Sequence, residues 1–289
     1  MKDFSGKLAV ISGGGTGIGR ALAAALAAEG CSLALCDIHS EPMDETVRLA
    51  HAGAPQGVKI STHLADVSVE AQLHAFRKEL EEIHETDRIH LLFNNAGIGG
   101  GGSFVAGPRD QWERTFGVCW WGVYYGCRTF LPMLLKADEA HIVNVSSVNG
   151  FWASLGPDRP HTAYSAAKFA VKGFTEALIT DLRMNAPHVK ASVVMPGHIG
   201  TRIAHNTMAE FGADLSQPGI AAMADGFEAN GLPPAEAAQI ILDGVREERW
   251  RILVGPDAHA LDKAVRADPE HAYEASMGDL VASALQPLR

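Results

Sequence analysis

Tyr164 and Lys168 sit at i and i+4 in the segment Thr162-Ala-Tyr-Ser-Ala-Ala-Lys168. On a helix such residues share a face, so the ammonium of Lys168 can approach the phenol of Tyr164 and favour its phenolate. A tyrosine tuned that way exchanges a proton with an alcohol near neutral pH. Ser147 follows the apolar run His141-Ile-Val-Asn-Val145 and would hold the same oxygen from the other side. These three candidate catalytic residues point to reversible oxidation of an alcohol to a carbonyl. A Tyr-x-x-x-Lys pair alone is more often a solvated helix face, so its meaning depends on what lies upstream.

Upstream lies Ser12-Gly13-Gly14-Gly15-Thr16-Gly17-Ile18-Gly19, directly after the first apolar run and at the start of a helical pattern. Glycines there let the backbone turn sharply and approach a pyrophosphate at the positive end of the helix. The spacing Gly13-x-x-x-Gly17-x-Gly19 differs from Gly-x-Gly-x-x-Gly but serves the same purpose, making Gly13, Gly15, Thr16, Gly17, Ile18 and Gly19 candidate cofactor residues. Asp37, roughly 20 residues beyond the turn at the end of the second strand pattern, can accept hydrogen bonds from ribose hydroxyls, with Ile38 beside it. A 2′-phosphate would meet that charge, and Ile38, His39 and Ser40 supply no arginine, so the expected cofactor is NAD, with NADP disfavoured.

The elements that must position these residues alternate along the chain. Strand patterns run from Leu8 to Ser12, Ser32 to Asp37, Val58 to Leu64, Ile89 to Asn94, His141 to Ser146, Val189 to Met195 and Arg251 to Val254, with amphipathic stretches between them. This order predicts a single α/β domain: a Rossmann-like, doubly wound parallel sheet of about seven strands with helices on both faces. Residues 1–255 are read as the dinucleotide-binding catalytic domain. Within it, 197–232, rich in Gly, Ala and Met, is expected to be a substrate lid. Residues 256–289 are read as a C-terminal helical tail, with helical signal at Ala258 to Ala267 and Asp279 to Leu285.

Bulk properties narrow the partners. The 289 residues are 47% apolar, enough for one large core. A net charge of -10 without a basic cluster argues against nucleic acid or an anionic membrane and for a small-molecule substrate. No apolar signal region opens the chain and no apolar run reaches the roughly 18 residues of a membrane span, so a cytoplasmic location is expected. Cys31, Cys36, Cys119 and Cys127 lack Cys-x-x-Cys spacing and the histidines form no ligand set, so buried thiols and no metal are expected.

Taken together, the motifs resemble the short-chain dehydrogenase/reductase family over roughly Lys7 to Val254. The resemblance rests on the glycine turn, Asp66-Val67, Asn94-Asn95-Ala96-Gly97, Asn144-Val-Ser-Ser147, Tyr164-x-x-x-Lys168 and Pro196-Gly197 with Thr201. It implies that Asp66, with Val67, addresses the adenine ring and that Asn95, Ala96 and Gly97 line the adenosine side of the pocket. It implies that Lys168 binds the nicotinamide ribose as well as tuning Tyr164. Ile199 and Thr201, after Pro196 and Gly197, would contact the carboxamide, and Ser147 is preferred over Ser146 as the catalytic serine. The family often forms tetramers through helices matching Trp112 to Leu135 and Thr162 to Ala186, so a homo-oligomer is expected.

Two departures stand out. Aligning Trp112-Glu-Arg-Thr-Phe-Gly-Val-Cys119 on the family pattern puts Cys119 where an asparagine usually supports a proton-relay water, and a thiol is a poor substitute. The stretch from Ser147 to Tyr164 is also long and contains Pro157-Asp-Arg-Pro160, a loop expected over the substrate. Candidate pocket residues, Phe151, Trp152, Met208 and Phe211 with Ile98, Met223 and Phe227, are mainly apolar and favour a hydrophobic secondary alcohol or ketone. The alternative is an NAD-binding regulatory protein of the same fold with weak or lost catalysis. An epimerase or enoyl reductase would want a different glycine or tyrosine-lysine spacing.

Overall fold

The first strand, β1 (Leu8–Ser12), is buried along its whole length. Ala9 and Ile11 enter the core on one face of the sheet, Leu8 and Val10 the core on the other. A strand covered on both faces needs apolar residues at successive positions, which is why this run does not alternate with polar ones.

The computed structural model describes residues 1–155 and 159–274. Beside β1 stand β2 (Ser32–Asp37), β3 (Ile60–Leu64), β4 (Leu91–Asn94), β5 (Ala140–Val145), β6 (Val189–Pro196) and β7 (Arg251–Val254). All pairs are parallel, in the order β3-β2-β1-β4-β5-β6-β7. Strands β3 and β4 begin two residues later than the apolar pattern suggests, because Val58 and Ile89 are apolar but lie outside the ladder. The order reverses between β1 and β4, which opens a crevice at the carboxyl ends of the strands.

The helices are α1 (Gly17–Ala28), α2 (Ser40–Gly53), α3 (Glu70–His84), α4 (Arg109–Phe116), α5 (Gly122–Leu134), α6 (Thr162–Asn185), α7 (Ile203–Glu210), α8 (Pro218–Asn230), α9 (Pro234–Arg246) and α10 (Pro256–Ala267). Leu22 and Leu26 of α1 meet Ile241 and Val245 of α9 in the first core. Phe76 and Leu80 of α3, Phe130 of α5 and Leu182 of α6 fill the second. Each such side chain contributes about 1.5–3 kcal/mol through burial, so the two faces hold the sheet as one domain.

The helix expected to run from Trp112 to Leu135 is interrupted by a π-helical turn at Gly117–Trp121. Gly122, at its end, lets the rod approach β3's exit closely: a Cβ there would lie 2.6 Å from Val67 Cγ2. The segment expected as a lid carries α7 and α8, and the tail's first helical signal is α10. The second, Asp279 to Leu285, lies outside the described residues, as do Pro157 and Asp158 of the long loop. Among the described residues no helix is long and apolar enough to cross a membrane.

Candidate active site

Lys168 projects from α6 under the end of β5. It is 2% exposed, and its Nζ donates to the Val145 carbonyl at 2.9 Å and stands 5.4 Å from the centre of the Tyr164 ring. Gly97 stands beside it, in ordinary van der Waals reach of that nitrogen. The two serines after β5 divide their work. Ser146 donates to the Lys168 carbonyl at 2.7 Å and so ties the strand to α6. The Ser147 hydroxyl accepts from Asn149 N at 3.1 Å and faces the Tyr164 side chain closely enough to favour its phenolate.

The electrostatics differ from the expectation in one respect. Burial pushes the Tyr164 phenol up and outweighs the neighbouring Ser147 hydroxyl, which favours the phenolate. Burial likewise pulls the Lys168 ammonium down. Both charged forms lose hydration in this crevice, and proximity of the pair does not by itself restore it. The phenol is therefore not acidified by the i, i+4 spacing alone.

Three features escaped the sequence reading. The run Gly99-Gly-Gly-Gly102 clamps the start of α6: Thr162 N and Ala163 N donate to the Gly102 and Gly101 carbonyls at 3.0 Å each. Gly101 has φ +57 and its Cβ would meet Ala163 Cβ at 2.3 Å, so only glycine fits. Four successive glycines were the available signal. His161 stacks on Tyr164, ring centres 4.7 Å apart, and burial pushes its imidazole down to about 4, so it adds no positive charge at neutral pH. Arg114 of α4 bridges Asp66 and Glu210 of α7 at 2.6 Å each.

At the other end of the crevice the glycine turn forms a cradle. Gly13 and Gly17 have φ of +66 and +55, and a Cβ on Gly19 would strike the Gly13 carbonyl at 2.0 Å. Thr16 gives α1 no side-chain cap, which leaves the first-turn N–H groups to a ligand. Asp37 points back at this turn, accepting from Gly15 N at 3.0 Å and Ile38 N at 2.8 Å. Arg20 is committed to the Gly15 and Pro42 carbonyls and Thr46. The residues present fit a dinucleotide whose pyrophosphate meets the glycine turn and whose adenosine end lies toward Asp37.

The remaining expected cofactor residues assemble around the same crevice with mixed duties. Asn95 donates to the Ser12 and Gly13 carbonyls at 3.0 and 3.2 Å, and Ala96 N donates to Ser12 Oγ at 3.1 Å, so this pair braces the turn from below. Asp66 accepts from Ser68 and Arg114, and these contacts, with burial opposing them, hold its carboxyl below the usual range. Val67 is buried at the π turn. Gly197, after Pro196, donates to the Val254 carbonyl at 2.9 Å; Ile199 is buried, and Thr201 crosses over Gly17. Cys119, inside the π turn, donates its thiol to the Ile98 carbonyl at 3.2 Å.

The expected substrate wall is only partly assembled. Phe211 packs on the glycine clamp, where a Cβ on Gly100 would be 2.6 Å from its ring. Met208 lies on α7 and is half-buried, while Met223 is largely exposed. Trp152 is buried under the C-terminal segment, with its indole N–H on the Ala272 carbonyl, so it does not form an open pocket wall. Hydrophobicity marked it, but a buried packing contact reads the same way in sequence. Among the described residues no group of three or more His, Cys, Asp or Glu side chains is arranged to hold a metal, and the four cysteines are free and buried.

A family model for short chain dehydrogenases matches residues 7–211. The chain belongs to the short-chain dehydrogenase/reductase family. SadH of Mycobacterium tuberculosis, an oxidoreductase by name, is 37% identical over 268 residues, 92% of each chain. A Burkholderia phymatum short chain dehydrogenase/reductase solved in complex with NAD superposes with TM-score 0.80 at 32% identity, covering 94% of this chain and 95% of its own. A metagenomic short-chain oxidoreductase in complex with NADP shares the fold, with TM-score 0.65 at 24% identity over 87% of this chain and 97% of its own. The protein is an oxidoreductase of this family acting on a small molecule.

Proposed function

We propose that this short-chain dehydrogenase transfers a hydride between NAD(H) and a hydrophobic secondary alcohol or ketone through Ser147, Tyr164 and Lys168. The observation that carries the reading is their convergence at the carboxyl end of β5, with the Ser147 hydroxyl on the Tyr164 side chain and the Lys168 ammonium beneath the same ring. Gly13 to Gly19 would hold the pyrophosphate, Asp37 the adenosine ribose and Asp66 the adenine. Residues 196 to 201 would flank the nicotinamide, which supplies the hydride acceptor when bound. Asp37 supports NAD over NADP, because its carboxylate faces the turn and Arg20 is already occupied.

In the oxidation direction Ser147 and Tyr164 hold the alcohol oxygen, and Tyr164 takes the hydroxyl proton as the carbon loses its hydride. The Lys168 ammonium beside the ring would offset part of the burial cost of the phenolate and would reach a ribose hydroxyl on leaving the Val145 carbonyl. The apolar side chains of α7 and α8 support a hydrophobic substrate and a lid role for 197–232. Tyr164→Phe removes the proton acceptor without touching the glycine turn. Turnover, followed as nicotinamide absorbance near roughly 340 nm across an alcohol panel, should vanish while NAD binding stays nearly intact. Retained turnover refutes the assignment.

A second reading, an NAD-binding protein with weak catalysis, draws on Cys119, whose thiol is spent on the Ile98 carbonyl. NAD binding by the wild-type chain without turnover of any panel alcohol would favour it.

A further inference from the structure

The chain beyond β7 returns to two loops, the one after β6 and the one after β5. Asp257, in the first turn of α10, is 7% exposed. An acid in a first helical turn needs no burial to favour the helix dipole, and burying a carboxylate costs free energy. This one turns inward instead and accepts from His198 N at 2.6 Å. Its oxygens would lie 2.2 Å from a Cβ on Gly197, so the glycine of the Pro196–Gly197 pair is what admits it. Asp257 thus grips the loop that continues to Ile199 and Thr201.

The same segment grips the other loop about fifteen residues further on. Trp152 Nε1 donates to the Ala272 carbonyl at 2.6 Å, and Ala153 N donates to Tyr273 Oη at 3.0 Å. Trp152, Leu261 and Ala272 close a small separate core against which Phe151 packs. The Arg251 guanidinium lies 5.6 Å from the Phe151 ring centre and pairs with Asp262 of α10. Phe151 to Ala153 follow directly on the short helical turn Val148–Gly150 that Ser147 caps.

We propose that residues 256–274 are a positioning element of the active site: Asp257 sets the Gly197–Thr201 loop for the nicotinamide end of the cofactor, while Ala272 and Tyr273 set the Phe151–Ala153 loop for the alcohol. One segment, α10 and the turn after it, then registers the hydride partner against the groups that hold the reacting oxygen. Sub-ångström registration of this kind governs rate, and loops hold it only when a packed second layer supports them. The proposal rests on the NAD-dependent alcohol reading above.

The test compares full-length variants for binding NAD and ADP-ribose, which shares the adenosine diphosphate but lacks nicotinamide. Asp257→Ala should weaken NAD roughly tenfold, the scale of a lost hydrogen bond to a charged group, and leave ADP-ribose unchanged. Asp257→Asn, which keeps an oxygen acceptor for His198 N, should recover most of the loss. Tyr273→Phe should raise the KM for alcohol several-fold with NAD affinity unchanged. Equal effects on NAD and ADP-ribose, or none on either, overturn the role of Asp257, and an unaltered alcohol KM in Tyr273→Phe overturns the role of the segment's end. If Asp257→Ala does not fold, the Tyr273→Phe result decides. Wild-type protein that binds no NAD would instead defeat the parent reading.

Discussion

Gly101→Ala tests whether the glycine clamp sets the catalytic tyrosine. The new Cβ would stand 2.3 Å from Ala163 Cβ and 3.2 Å from Trp112 Cα. Carbon atoms in van der Waals contact keep about 3.5–4.0 Å, so the loop and the first turn of α6 must part by more than about 1 Å. A left-handed alanine at this φ adds roughly 1–2 kcal/mol of strain. The parting would break the Thr162 and Ala163 bonds to Gly102 and Gly101, and Tyr164 is the next residue. A displacement of about 1 Å in a reacting group costs on the order of a hundredfold in rate. Turnover should therefore fall about a hundredfold while NAD affinity, which depends on the distant glycine turn, holds. Gly101→Ala combined with Ala163→Gly removes the clashing atom and should regain most of the activity. Wild-type turnover in the single variant, or a double variant no better than the single one, refutes the argument.

Three further outcomes follow from the site. Asp37→Asn keeps the shape at the end of β2 but removes the charge, and should raise the NADP-to-NAD ratio of kcat/KM about tenfold, the effect of roughly 1.4 kcal/mol of relieved repulsion; an unmoved ratio means that Asp37 does not face the 2′ position. Cys119→Asn restores an amide to the π turn and should preserve or raise turnover, whereas a large fall would show the thiol integrated into a different arrangement. Burial pushes His84, His141 and His161 down to about 4, 3 and 4. Their folded values lie below the unfolded one, so the stability they contribute is present above about pH 6.5 and is lost as pH falls toward 4, by up to about 1.4 kcal/mol per pH unit for the deeply buried His141 and His161 and by less for the half-buried, solvent-screened His84. Urea midpoints at pH 7.5 and 5 should differ accordingly, and a flat profile contradicts the burial argument.

The strands were legible because a buried parallel sheet demands local apolar runs: β1, β2 and β7 begin and end where the pattern does. The glycine turn, Asp37 and the Tyr164–Lys168 pair were legible for a related reason, since each depends on short spacing within one element or one turn. Trp152 and Asp257 were not. A buried tryptophan under a tail and a tryptophan lining a pocket present the same letter, and the partner of Asp257 lies far back along the chain at His198.

Spacing alone thus determined which residue types meet within α6, around the glycine turn and along each strand, because helix and strand periodicities act over a few residues. Tertiary structure decided what those groups experience. Burial sets the Tyr164 phenol up against the expectation from spacing, and the glycine clamp and the segment 256–274 reach the site only when the sheet brings the carboxyl ends of distant strands together. Desolvation and long-range contact depend on the whole packed assembly, and no local pattern encodes either.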